Sequence, residues 1–209
     1  MNVIEGLQWR YATKRFDTDK KLNKDQIEYL KQAVSLIPSS YGLQPYKVLI
    51  VENPEIRKKL SEAAFGQPAI TEASHLFIFA NFTKYGPDKV ESFLRLSAEI
   101  NNYPEGSSDT YRDMLNGMIG AMTPEQLSNW TAKQAYIALG ALICAASEQH
   151  IDICPMEGFD KSQFDDILGL RQKGLTAACI GAVGYRSPQD KHQFLKKVRK
   201  PLDQLFEAI

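Results

Sequence analysis

Cysteine and histidine are scarce, with three of each in 209 residues. Cys144, Cys154 and Cys179 are odd in number and never spaced as C-x-x-C. That excludes a disulfide frame and a zinc ribbon and points to a reducing, cytoplasmic setting. His75, His150 and His192 are scattered, none with a partner at i+4, so no metal site is expected. Charge of one sign is missing too: 25 basic and 25 acidic residues cancel to a formal zero. A dedicated nucleic-acid binder carries a basic excess. No apolar run approaches the roughly 18 residues of a membrane span. The opening "MNVIEGLQWR" has neither the apolar core nor the cleavage pattern of a signal peptide. Nucleic acid and membrane are therefore not expected partners. The motifs G-x-x-x-x-G-K-[ST], G-x-S-x-G and H-E-x-x-H are absent as well. Nucleoside-triphosphate, serine-hydrolase and zinc-protease chemistry lose support, and a cofactor is left to carry the chemistry of an enzyme.

What is present reads as one domain over residues 1–209, large enough to bury a core without staples. Asn23 with Gln26 three positions on, Asn53-Pro54 and Thr123-Pro124-Glu125-Gln126 are helix starts. The third leads into "AYIALGALICAAS", apolar nearly all round, which predicts a long central helix. "KVLIVE", "HLFIFANF", "LTAACIGAV" and the shorter "IDICP" read as strands buried on both faces. The expected architecture is α+β or α/β, with a small sheet and more helix than strand. Lys84 to Gly120 has mixed polarity, and "NNYPEGSSDT" is the most loop-like stretch in the chain.

Four constellations bear on chemistry. "WRYATKRF" places Arg10, Lys14 and Arg15 beside aromatics, and "LKKVRKP" repeats the cationic crowding with Lys196, Lys197, Arg199 and Lys200. Each run alone is an ordinary solvated face; together they suit a phosphate. "IPSSYGLQPY" is locally a helix-to-strand connection, yet Ser39, Ser40, Gly42 and Gln44 next to Tyr41 and Tyr46 suit a polar, planar heterocycle. In "PMEGFD", Asp160 caps the next helix, Gly158 permits close backbone approach, and Glu157 is a candidate acid or base. "GAVGYR" lacks the third glycine of a dinucleotide fingerprint and reads as a strand end.

"RYATKRFD", "PSSYGLQPY", "WTAKQAYIALG", "PMEGFD" and a terminal K-x-R stand in the order and spacing of the nitroreductase family, and the chain resembles it along essentially its whole length. The resemblance implies an α+β nitroreductase-like fold, a small mixed sheet surrounded by helices, and an intertwined homodimer with FMN at the subunit interface. It implies NADH or NADPH as electron donor and small-molecule acceptors: nitroaromatics, quinones, pterins or flavins. By that resemblance Arg10, Lys197 and Arg199 grip the FMN phosphate, while Tyr11 and Ala12 belong to the same binding segment. Lys14 lies at the pyrimidine edge of the flavin, where a cation favours the charge that reduction adds. Pro38, Ser39 and Ser40 come from the partner subunit and cover the ring, and Gly42 is a further cofactor-binding position. Gln67, Gln134, Glu157 and Gly158 line the ring, with Lys14 and Glu157 the implied catalytic residues. Tyr41 and the stretch from Met114 to Met122 fall where relatives bind substrate. The chain carries Gly42 and Gly66 where many relatives have asparagine, which keeps open an alternative reading as a flavin storage or sensor module without turnover. A protein whose basic ends hold an acidic partner is a third reading.

Overall fold

The computed structural model describes residues 2–209. Its sheet has four strands, β1 (Tyr46–Val51), β2 (His75–Phe82), β3 (Asp152–Met156) and β4 (Leu175–Gly184), in the spatial order β1-β2-β4-β3. Every neighbouring pair is antiparallel. Among the described residues the mixed character expected of the sheet is confined to a parallel bridge between Ala12 and Ile153. That bridge lays the N-terminal segment along the free edge of β3. β2 is buried along its whole length and β4 nearly so, as their sequences predict. β1 departs from the expectation of two covered faces: it is the other edge of the sheet and only partly buried.

Around the sheet lie α1 (Val3–Trp9), α2 (Lys24–Leu36), α3 (Pro54–Ala63), α4 (Ala69–Glu72), α5 (Pro87–Asn101), α6 (Asp109–Gly120), α7 (Pro124–Glu148), α8 (Lys161–Leu168) and α9 (Leu202–Leu205). The starts of α2, α3 and α7 follow the capping logic. Asn23 and Thr123 each close a reciprocal box with a glutamine at the third position, and Asn53 accepts from Ile56 N–H ahead of Pro54. α5 and α6 occupy most of the stretch of mixed polarity, with the loop-like "NNYPEGSSDT" spanning the connection between them. Each buries only a narrow stripe, Val90 and Leu94 in one and Leu115 and Ile119 in the other, too few apolar positions to dominate the pattern.

Alternation along β2 divides the core in two. Leu76, Ile78 and Ala80 pack with Leu60, Ile70, Leu115 and Phe164 on one face; Phe77 and Phe79 pack with Leu30, Ala138, Leu142 and Ile153 on the other. α7 runs beneath that second face, but not buried all round: Tyr136 and Ile137 stay exposed. The glycine in "GAVGYR" explains how close α7 comes. A Cβ on Gly181 would lie 2.6 Å from Leu142 Cδ2, so this residue serves helix-to-sheet packing and no phosphate. Among the described residues no helix is long and apolar enough to cross a membrane. Leu142 is fully buried in this contact. Leu142→Ala should cost about 3 kcal/mol in urea unfolding; a loss below about 1 kcal/mol would mean that α7 is not seated against β4 at this point.

Candidate functional site

The residues singled out from the sequence gather into three groups. Arg10, Tyr11, Ala12, Lys14, Lys197 and Arg199 line one cleft of about 370 Å³, with Lys196 and His192 beside them. The two cationic ends of the chain therefore converge. Among the described residues no carboxylate lines this cleft. Burial, and after it the neighbouring Arg199, hold the Arg10 guanidinium below its ordinary pKa. Burial, then Arg10 and Arg199, do the same to Lys197. Neighbouring cations that add to the effect of burial mark a local concentration of positive charge. Arg10 Nε is also buried without a hydrogen-bond partner, and such an orphan donor costs free energy until an acceptor arrives. Lys197 is differently placed from the expected phosphate ligand: its ammonium donates to the carbonyls of Leu7, Gln8 and Arg10 at the end of α1. It thereby satisfies the carbonyls that a helix leaves open.

The segment from Arg10 to Phe16 is held from behind by three carboxylates. Asp190 is fully buried, and its Oδ2 accepts from the N–H groups of Lys14 (2.7 Å) and Arg15 (3.2 Å) and from Tyr11 Oη (2.9 Å). Its Oδ1 accepts from His192 N–H at 3.0 Å. Asp152, buried in β3, receives Arg186 Nε (2.8 Å), Arg186 N–H (2.8 Å) and Thr13 Oγ1 (3.3 Å). The Arg186 guanidinium lies over the rings of Trp9 and Tyr11, 4.3 and 4.8 Å from their centroids. Glu72, at the end of α4, grips Arg15 through both oxygens and takes Phe16 N–H. Arg15, the third cation of the opening motif, is thus engaged and not offered to a ligand.

β3 leads from this cleft to the second group. Lys14 Nζ stands 4.0 Å from the sulfur of buried Cys154, and Glu157 and Gly158 follow a few residues along. Gln67 Nε2 donates to the carbonyl of Gly158 at 2.7 Å and to that of Ala64 at 3.1 Å, which fixes the loop after α3 over the end of β3. Burial raises the Tyr136 hydroxyl, and hydrogen bonding to Glu157 raises it further. Phe65, beside Gly66, is three-quarters exposed in a left-handed backbone.

The third group lies around α7. Ser40 N–H donates to Gln134 Oε1 at 2.8 Å, and Ser39 Oγ accepts from Gln44 N–H at 2.8 Å. Pro38 is exposed. Tyr41 and Gly42 both have positive φ, 56° and 71°, so Gly42 meets a backbone requirement that asparagine meets less easily, with Phe93 packed 3.5 Å from where its Cβ would be. No hydrogen bond among the described residues joins this group to the Arg10 cleft. A larger cleft of about 1010 Å³ opens beside β1 and α2, lined by Lys21, Glu52, Arg57 and His75, and contains none of the residues singled out. Its Arg57 donates to the carbonyls of Ile70, Ala73 and Ser74 and is fully occupied in the fold. Among the described residues no cluster of three or more His, Cys, Asp or Glu is placed to hold a metal ion.

Sequence reasoning passed over Asp152, Asp190 and Glu72. Asp152 left a signal, a carboxylate inside the apolar strand "IDIC" that must find partners. Asp190 left none, because "SPQD" reads as any polar turn. Burial opposes ionisation of Asp190, yet N–H groups of Lys14, His192 and Arg15 and the Tyr11 hydroxyl outweigh it and hold the carboxyl at about 2. A carboxyl near 3.9 when unfolded and near 2 when folded stabilises fully above pH 4, by about 2 kcal/mol, and loses that as pH falls to about 2. Urea unfolding should show Asp190→Asn weaker than the parent at pH 7 by at least about 2 kcal/mol, with the gap narrowing between pH 4 and 2. A gap independent of pH would contradict this account.

Comparison with known proteins agrees with the geometry. Residues 7–185 match the nitroreductase family. YfkO of Bacillus subtilis is 33% identical over 198 residues, covering 88% of each chain. The oxygen-insensitive NAD(P)H nitroreductase of Salmonella typhimurium is 26% identical over 217 residues, covering both chains fully. A protein of Exiguobacterium sibiricum solved in complex with FMN superposes with a TM-score of 0.87 at 19% identity, over 100% of this chain and 98% of that one. The chain belongs to the nitroreductase family.

Proposed function

We propose that this protein is an NAD(P)H-dependent FMN oxidoreductase that passes electrons to small-molecule acceptors: nitroaromatics, quinones, pterins or flavins. The observation that carries the reading is the cleft where the two ends of the chain meet. Burial, and after it the neighbouring cations, hold Arg10 and Lys197 below their ordinary pKa values; among the described residues no carboxylate lines the cleft and no group accepts from the buried Arg10 Nε. A phosphate dianion fits that donor set. Arg10 and Arg199 would hold it, and Lys197 would brace the end of α1 behind them.

When bound, FMN supplies the redox step, taking hydride from NADH or NADPH and giving electrons to the acceptor that replaces the nicotinamide. The chain's own work is to bind, orient and tune. Lys14 would place positive charge at the pyrimidine edge, where reduction adds negative charge. Gln67 and Gly158, joined by their hydrogen bond, would form a firm wall along the ring, with Glu157 beside them. Tyr41, exposed and in a left-handed backbone, would face the acceptor. Exchange of donor and acceptor at one face needs positioning more than a protein acid or base.

The site is completed by a second copy of the chain in this reading. Ser40 is bonded to Gln134 and Ser39 to Gln44, and among the described residues neither pair is bonded to the Arg10 cleft. Leu195, Val198, Leu202 and Phe206 on the C-terminal segment, and Ile137 on α7, expose apolar surface that suits a homodimer. The free thiols Cys144, Cys154 and Cys179 fit the cytoplasm.

The purified protein should show flavin absorption that bleaches under anaerobic NADH or NADPH and returns with a quinone. Arg10→Ala should raise the FMN dissociation constant at least about tenfold. Flavin bands that persist with nicotinamide would leave a binding module, and a colourless protein that takes up no FMN would end the reading.

A further inference from the structure

We propose that Asp190 is a positioning residue for the flavin: it sets the place of Lys14, and through it the ease of flavin reduction, without touching the cofactor. This rests on the reading of Lys14 as the cation at the pyrimidine edge. Residue 190 lies beyond the stretch that matches the family, which ends at 185.

The argument begins with what Asp190 binds. Its partners are not the cationic side chains of the cleft but the main chain that carries one of them, Lys14 N–H at 2.7 Å and Arg15 N–H at 3.2 Å. Tyr11 Oη adds a third donor at 2.9 Å to the same oxygen. The other oxygen takes His192 N–H at 3.0 Å and lies 3.1 Å from His192 Nδ1. One carboxylate therefore ties residues 11–15 to the start of the segment that leads to Lys197 and Arg199. Lys14 itself is exposed, and among the described residues its ammonium has no carboxylate partner and meets the Cys154 sulfur at 4.0 Å. Its position is inherited from its backbone, and the backbone at that residue is held by Asp190. A side chain placed within a fraction of an ångström needs such a supporting shell.

Charge gives the proposal a distinctive sign. Asp190 is an anion near the site. If it acted on the flavin directly, its removal would make reduction easier and raise the flavin midpoint potential. If it acts by holding a cation in place, its removal lets Lys14 drift and lowers the potential, as loss of the Lys14 charge does. The two roles move the same observable in opposite directions.

The test is a double-mutant cycle on the FMN-loaded protein, comparing Asp190→Asn, Lys14→Met and the pair, with flavin midpoint potential and FMN dissociation constant as readouts. Asp165→Asn is the control. Asp165 is another buried carboxylate, bonded to Ala177 N–H and Thr176 Oγ1 at 2.8 Å each, outside the cleft. We expect Lys14→Met and Asp190→Asn each to lower the potential, and Asp190→Asn to lower it no further in the Lys14→Met background. We expect Asp190→Asn to weaken FMN binding about tenfold and Asp165→Asn to change neither readout while costing stability. Tyr11→Phe, which removes one donor to the carboxylate and keeps its charge, carries the test if Asp190→Asn fails to fold, and should lower the potential in the same sense. A raised potential in Asp190→Asn, or a shift that survives in Lys14→Met, would overturn the proposal. So would a Tyr11→Phe protein with unchanged potential. If Lys14→Met itself leaves the potential unchanged, the reading of Lys14 fails and the role of Asp190 falls with it. A shift in Lys14→Met with none in Asp190→Asn sinks the positioning role alone.

Discussion

Everything at the cleft depends on how like charges are kept together. Arg10, Lys197 and Arg199 repel one another, and the fold brings them close all the same. The compensation is mechanical. Lys197 is bound to the carbonyls at the end of α1, and residues 10–16 are bound to Asp190, Asp152 and Glu72. Each of these carboxylates comes from a different part of the chain, so the cationic strand is fixed only once the whole domain has closed.

The sheet decides where those carboxylates stand. β3 is an edge strand, and the parallel bridge at Ala12 lets the N-terminal segment run beside it. Asp152 at the beginning of β3 thus faces Thr13 and Arg186, while Cys154 faces Lys14. The same strand then delivers Glu157 and Gly158 to Gln67. Close packing of α7 at Gly181 sets the other side, since that helix carries Gln134 and with it the Ser40 loop. Packing in the core and order at the site are one chain of contacts.

Much of this was legible in the sequence, for reasons that can be stated. Asn23, Asn53 and Thr123 announce their helices because capping is local chemistry, and "HLFIFANF" announces β2 because a strand covered on both faces leaves an unbroken apolar run. α5 and α6 were hidden by stripes of two buried residues each. The shared chemistry of the two basic runs suggested a phosphate, but their convergence was implied by resemblance, because nothing between Arg15 and Lys196 records their distance in space. Asp190 was invisible for a deeper reason. Three of its partners are main-chain N–H groups, and a hydrogen bond to main chain leaves no complementary residue type to recognise.

That choice of partner is also what makes a binding site compatible with a neutral chain. A carboxylate paired directly with Arg10 or Arg199 would neutralise the charge that a phosphate is meant to meet, and the ligand would have to displace it. Arg15 shows the contrast: its pairing with both oxygens of Glu72 makes it a fastener of the fold. Asp190 and Asp152 avoid the conflict by binding N–H groups, hydroxyls and the guanidinium of Arg186, which stacks on Trp9 and Tyr11. Geometry is thereby fixed by anions bonded to other groups, and the positive charge of Arg10 and Arg199 is left unpaired with them. A formal net charge of zero is then no obstacle to an anion site, because what the ligand meets depends on which groups line the cleft and which the carboxylates are bonded to.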